Sequence, residues 1–280
     1  MPPPPVIACH TTCYGPFGGA VAIEQTRAAG LEWIELPIRT AGVGTRWGDE
    51  PLVSSESSLA ELASVERLLV GYGVQVATCT CLAGNPLHPD QLQLAKRKLD
   101  LAAHFGVAVA IVNGGAAENG VELENLLVAI RELGDHADTL GITACLEMQR
   151  GTCVNHREML HFLAQVDHPR IRGNFDTGNL LYYNENVHPE VALAKSCHRI
   201  KHVRLKDSMG EPGRWYAPAL GRGGAVDFLR TFQIMRDCGF RGPYSIATDG
   251  IAGEPDLTLE ERQQRVVESV RYLRSLGYFD

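Results

Sequence analysis

Val107-Ala108-Val109-Ala110-Ile111-Val112 is the stretch on which the fold turns. It is nearly pure Ala, Val and Ile, with no polar residue at alternate positions, so it reads as a strand covered on both faces. That is the pattern of a parallel sheet flanked by helices. On its N-terminal side Pro89 to Phe105 reads as a helix ended by Gly106; beyond it Val121 to Leu140 reads as a helix stopped by Gly141, and Ile142 to Met148 as the next strand. Further out, Val6 to His10, Glu32 to Leu36 and Val74 to Thr78 read as strands, separated by helices from about Gly19 to Ala29 and from Leu59 to Tyr72. Downstream, the strands Ile171 to Phe175, Ile200 to Leu205 and Tyr244 to Thr248 alternate with helices over His156 to Val166, Val187 to Cys197, Ala225 to Cys238 and about Leu257 to Leu276. Eight strand–helix units in 280 residues have the size and count of an α/β (β/α)8 TIM barrel, a single domain over residues 1–280. A doubly wound open sheet competes, but Cys13-Tyr14-Gly15-Pro16-Phe17-Gly18-Gly19 does not match the G-x-G-x-x-G that normally follows its first strand.

Composition sets the outer limits. With 45% hydrophobic and 21% charged residues the chain has material for a sizeable core, and 33 acidic against 26 basic residues give a net charge of −7. That balance disfavours nucleic acid and anionic membrane, which call for clustered Lys and Arg, and no apolar run reaches the ~18 residues of a membrane span. The opening Met1-Pro2-Pro3-Pro4-Pro5 has neither a basic n-region nor an apolar h-region, so a cytoplasmic protein with its eight cysteines as free thiols is expected. Cys79-Thr80-Cys81 is one residue too tight for a zinc knuckle and reads as core lining.

In a barrel of this type the working residues sit at the C-terminal strand ends and on the loops that follow them. The candidates there are His10, Glu35, Asn113, Glu147, Asp176, Arg204 with Asp207, and Ala247 with Asp249. Glu147 and Asp176 emerge from apolar strands. A buried, ionised acid costs several kcal/mol without a cation or hydrogen bonds, so each should face a metal, a basic residue or a polar ligand. The long segment from Ser208 to Gly224, with Glu211, Arg214, Trp215, Tyr216 and Arg222, is a candidate lid; Trp47 and Trp215 could offer aromatic faces to a sugar.

Several motifs together carry a family resemblance. Leu146-Glu147-Met148, Asn174-Phe175-Asp176-Thr177-Gly178-Asn179-Leu180, His202-Val203-Arg204-Leu205-Lys206-Asp207, Leu220 to Phe228 and Gly239 to Ile246 resemble the xylose-isomerase-like sugar phosphate isomerase/epimerase superfamily over nearly the whole chain. The resemblance implies proton abstraction next to a carbonyl, and one divalent metal (Mn, Mg, Co or Zn) held by a Glu, an Asp, a His and a second Glu. Glu147 matches the first Glu and Asp176 the Asp, but the position of the His is Arg204, that of the second Glu is Ala247, and a common His after the Asp is Asn179. Neither a guanidinium nor a methyl group is a metal donor. His202 and Asp249 lie two positions from the lost donors and share their face, yet two strand residues span roughly 6.5 Å, which puts His202 one layer too deep and Asp249 one too high. In the simpler reading, Arg204 lies where the metal would be and pairs with one or both acids.

Three functions are weighed. The first is a sugar isomerase/epimerase-like enzyme acting on a small carbohydrate or polyol, with Glu147, Asp176 and Arg204 at its centre. Around them His10, Glu35, Asn113, Asn179, His202, Lys206, Asp207, Arg214, Trp215 and Asp249 are candidates for substrate contact. The second is a metal-free barrel that binds such a ligand without turnover, favoured by Arg204 and Ala247. The third, the apurinic-endonuclease branch, needs a His-rich mouth and a basic groove, and the acidic balance opposes it. A homo-oligomer is compatible with all three.

Overall fold

The computed structural model describes residues 5–45 and 48–280. Eight parallel strands close into a barrel: β1 Ile7–His10, β2 Trp33–Arg39, β3 Gln75–Thr80, β4 Val109–Val112, β5 Thr143–Leu146, β6 Ile171–Asp176, β7 Ile200–Leu205 and β8 Tyr244–Ile246. Closure is made by β1, which pairs with β8 (Ala8 opposite Ser245) and with β2 (Cys9 opposite Ile34). The helices are α1 Gly18–Ala28, α2 Leu59–Tyr72, α3 Pro89–His104, α4 Gly120–Thr139, α5 His156–Val166, α6 Thr177–Tyr183, α7 Pro189–Ser196, α8 Phe228–Asp237 and α9 Leu259–Ser275. This is the (β/α)8 barrel expected from the alternation.

Local chemistry sets the element ends. Ser58 and Glu61 form a capping box at the start of α2, and Gly73 ends it in the left-handed conformation (φ 64°), which costs a residue without Cβ nothing. Pro89 opens α3, where its missing N–H is no loss. The helix expected from Ala225 begins only at Phe228, because the Asp227 side chain accepts from the Arg230 N–H and so acts as the cap. One helix is additional: α6 starts directly after β6, with Asp176 capping it through the Asn179 N–H at 2.8 Å.

Two register shifts position the site. One falls between Ile34 and Glu35 where β2 meets β3, the other between Gly173 and Asn174 where β6 meets β7. A bulge re-aims the side chain that follows it, and here Glu35 and Asn174 are both wholly buried inside the barrel. Two short pairings dress the rim: Val53–Ser54 extends β2, and Tyr216–Ala217 runs antiparallel to Gly250–Ile251, joining the long loop after β7 to the loop after β8.

The expectation of eight free thiols is corrected at two positions. Cys197 and Cys238 form a disulfide with their Cα atoms 6.4 Å apart. They follow α7 and α8, neighbouring helices of the outer ring that end at the same level, a proximity that a separation of 41 residues does not reveal. The other six cysteines are free and buried, Cys79 and Cys81 in the core as expected; burial pushes the Cys81 thiol up to about 12. Among the described residues no helix is long and apolar enough to cross a membrane.

Candidate active site

Polar side chains fill the C-terminal half of the barrel in three layers. The deepest holds Asn174, His202 and Ser245, from β6, β7 and β8. The His202 ring is bonded to Asn174 Oδ1 at 2.7 Å and to Ser245 Oγ at 2.9 Å, and its other neighbour is Glu35 at 3.6 Å. Burial pulls the wholly buried His202 imidazole down to about 4, so it is neutral at physiological pH.

Arg204 is the centre of the next layer. Its Nη1 donates to Glu147 Oε2 at 2.6 Å and lies 3.5 Å from Asp176 Oδ2; its Nη2 donates to Glu35 Oε1 and, at 3.2 Å, to Thr80 Oγ1. One guanidinium thus joins carboxylates from β2, the end of β5 and β6, each no more than 2% exposed. Burial works against the Arg204 charge, but Glu147, Glu35 and Asp176 hold it protonated, well above the usual arginine range. Glu35, despite its burial, is held well below the usual carboxylate range, chiefly by Arg204. Glu147 differs. Burial pushes its carboxyl up to about 6, with Asp176 and Glu35 adding to the shift and Arg204 opposing it. Its Oε1 accepts from Asn174 Nδ2 at 3.1 Å. His10, at 3.4 Å from Glu35, is lowered by burial to about 4.

The uppermost layer is built around Lys206. Its Nζ lies 3.4 Å from Asp249 Oδ2, 3.9 Å from Asp176 Oδ2 and 3.2 Å from Asn179 Oδ1, and sits 4.2 Å over the Trp215 ring. Thr12 donates to Asp249 at 2.8 Å, and Asp249, three residues beyond the end of β8, pairs with Lys206 and not with Arg204.

Not every candidate comes to the site. Asn113 accepts from the Ala83 and Gly84 N–H groups at 2.7 and 2.9 Å and fastens the loop after β3. Asp207 turns away to accept from the Ser208 and Val226 N–H groups, which ties the long loop to the end of β7. Arg214 pairs with Glu211 on the surface at 2.7 Å, and Arg222 pairs with Glu268. Trp47 lies outside the described residues. The sequence reading missed Thr12, Thr80, Asn174 and Ser245. Asn174 and Ser245 stand two residues before Asp176 and Ala247, so the period of two that singled out those positions also places these on the inner face.

The donor set does not fit a metal of the kind the resemblance implies. Ala247 supplies no donor, a cation occupies the His position among the remaining acids, and among the described residues no group of three or more His, Cys, Asp or Glu is arranged to hold an ion.

The profile described as xylose isomerase-like TIM barrel matches residues 23–276. The chain belongs to the xylose isomerase-like TIM barrel family. An inosose dehydratase from Clostridium botulinum is 29% identical over 174 residues, 55% of this chain; the match spans 57% of that relative's length. An L-ribulose-5-phosphate 3-epimerase UlaE from Escherichia coli is 21% identical over 239 residues, 80% of each chain. The solved structure of a xylose isomerase-like TIM barrel protein from Mycobacterium smegmatis, in complex with magnesium, has a TM-score of 0.72 at 21% identity and covers 96% of this chain and 99% of that one. At that identity the likeness speaks for the fold.

Proposed function

We propose that this family member is a sugar isomerase/epimerase-like enzyme that moves a proton next to a carbonyl or hydroxyl of a small carbohydrate or polyol. In this reading Glu147 is the acid/base, and Arg204 is a fixed counter-charge where relatives of the implied pattern place a divalent ion. The observation that carries it is the Glu147 carboxyl, pushed by burial to about 6 and held 2.6 Å from the Arg204 guanidinium at the end of β5. A base poised near neutrality can take a proton and return it, which is what general acid–base chemistry requires.

The step follows from those positions. Glu147 removes the proton from carbon; the C–H electron pair becomes the C=C bond of an enediolate, and the carbonyl oxygen takes the negative charge beside Arg204. For isomerisation the hydroxyl proton on the first carbon passes to the oxyanion and the abstracted proton returns to the neighbouring carbon, which leaves the carbonyl on the first. For dehydration the enediolate collapses to the carbonyl, the C–O bond on the far side of the deprotonated carbon breaks, and the hydroxide leaves with the abstracted proton as water. Inversion by two opposed bases is disfavoured, since the second acid is replaced by Ala247. A dehydratase and an epimerase of sugar-like substrates among the relatives support this substrate class. Lys206, packed against the Trp215 ring, is the upper boundary of the site, and the 208–224 loop is its cover.

A second reading, ligand binding without turnover, is favoured by one feature: both Glu147 oxygens are already engaged, by Asn174 and by Arg204. Solvent deuterium incorporation into ketoses, hydroxypyruvate and inososes separates the two. Exchange on at least one of them, reduced 100-fold or more in Glu147→Gln, is expected; binding with no exchange on any of them selects the second reading.

A further inference from the structure

A cavity of about 190 Å3 opens beside the Arg204 layer, between the ends of β2 and β3, and the proton-transfer step makes no use of it. Its walls include Arg39, Thr40, Thr45, Thr80 and Lys98. Lys98 reaches it from α3 and is 1% exposed. The Lys98 ammonium donates to Thr40 Oγ1 at 2.9 Å and to the Leu82 carbonyl, both neutral acceptors. Burial lowers it to about 8, with nearby Arg39 acting in the same direction. Arg39 ends β2 half-buried; Asp49 and Asp249 contribute to its field, but among the described residues neither they nor any other carboxylate forms an ion pair with Arg39 or Lys98.

Two cations share one cavity in a chain of net charge −7; among the described residues neither is in an ion pair with a carboxylate, although Asp49 and Asp249 act on Arg39 from nearby. Burying the Lys98 charge in this way is costly unless an anion completes the arrangement. An arginine fork, an ammonium and the Thr40 hydroxyl, which accepts from Lys98 and keeps its own proton, together match the oxygens of a carboxylate or a phosphate; the Thr45 and Thr80 hydroxyls already donate to Asp49 and Glu35. The cavity is also joined to the reactive layer. Thr80, in its wall, donates to Glu35 and accepts from Arg204 Nη2 at 3.2 Å. An anionic end group seated here would stand one side chain, Thr80, away from Arg204.

We propose that the Arg39–Lys98 cavity is an anion subsite that holds the carboxylate or phosphate at one end of the substrate, so that the substrate is an acidic sugar derivative and not a neutral sugar. This rests on the carbohydrate-enzyme reading above and narrows it. The test is calorimetric titration of the full chain with inorganic phosphate, ribulose 5-phosphate, ribonate and neutral ribulose, repeated on Lys98→Met and Arg39→Gln. Lys98→Met keeps the buried stem apolar, and Arg39→Gln alters a half-buried side chain, so the second variant reads the subsite even where the first fails to fold.

The expected result is binding of at least one acidic ligand tenfold or more tighter than ribulose, with that preference cut at least tenfold in each folded variant. An equal affinity for neutral and acidic ligands, no binding of any anion, or an unchanged preference in the folded variants overturns the subsite. Preference for the phosphate ester over ribonate, or the reverse, identifies which anion it is built for. Glu147→Gln separates this inference from the one beneath it: Lys98-dependent anion binding without deuterium exchange on any sugar sinks the proton-transfer reading alone. Exchange that depends on Glu147 but is indifferent to Lys98 and Arg39 sinks the subsite alone.

Discussion

Arg204→Met takes away the charge at the centre of the barrel and keeps much of the aliphatic stem. The variant loses the 2.6 Å bond to Glu147, the ion pair with Glu35, the 3.5 Å contact with Asp176 and the 3.2 Å bond to Thr80. Three carboxylates remain, 0–2% exposed, with no cation in their own layer. Breaking a buried ion pair from one side costs about 3–5 kcal/mol, because the partner's charge is left unpaired. Against a total stability of roughly 5–15 kcal/mol, this is a large share, corresponding to a fall in Tm of about 10 °C.

The cost depends on pH in a defined direction. A carboxyl whose folded-state pKa is raised binds its proton more tightly in the folded protein, so its contribution is present at low pH and lost as pH rises. For Glu147 in the wild type that window runs from the ordinary 4.5 to about 6, and without Arg204 it extends higher. Glu35 acts oppositely in the wild type: its depressed pKa contributes stability above the ordinary carboxylate value, lost on acidification, and Arg204→Met removes that contribution. The deficit of the variant is therefore expected to be largest near pH 8 and to narrow toward pH 5. Urea midpoints measured with chelator at pH 8, 7, 6 and 5 read it directly, and Glu147→Gln added to Arg204→Met should recover part of the loss. A deficit below about 1 kcal/mol at pH 8, or one that does not vary with pH, refutes Arg204 as the counter-ion of these acids.

Restoring the implied donor set with Arg204→His plus Ala247→Glu should create a metal site with Glu147 and Asp176; elemental analysis of purified protein should then find about one divalent ion per chain, against none in the wild type. His10 and His202, both lowered by burial to about 4, contribute stability that is complete above pH 6.5 and lost as pH falls toward 4, on the order of 3 kcal/mol each. Replacing His202 with Gln should flatten that part of a denaturation profile. A methyl group at Gly178 would stand 2.5 Å from Lys206 Cγ, so Gly178→Ala should cost about 1–3 kcal/mol and shift the ammonium away from Asp249. Lys206→Ala, which removes the Cγ and Cδ that the new methyl would meet, should relieve that clash, and a double-mutant cycle on thermal unfolding checks the coupling.

Much of this molecule is local in origin and therefore readable along the chain. The unbroken apolar run at Val107–Val112, the glycines that stop helices and the eightfold alternation follow from hydrogen bonding and side-chain periods that act within a few residues. The same logic placed Glu147, Asp176 and Arg204 at inner strand ends, and put His202 and Asp249 in separate layers. Other features needed the closed barrel. Arg204 meets Glu35 only because strands 169 residues apart in sequence face each other across the interior. A register shift just before Glu35 completes that meeting. Asp207 and Asn113 stand at strand ends like the others, yet they turn to loop backbone, because unpaired N–H groups nearby compete for their oxygens. The Cys197–Cys238 bond and the Lys98 cavity arise from helices meeting in the outer ring and from a helix lysine reaching inward, contacts without any local signal. Sequence by itself determined the barrel and the inner face on which the acids stand, since both follow from short-range periods. Only the tertiary structure decided which charges neutralise one another, because that depends on the stagger and closure of strands distant in sequence.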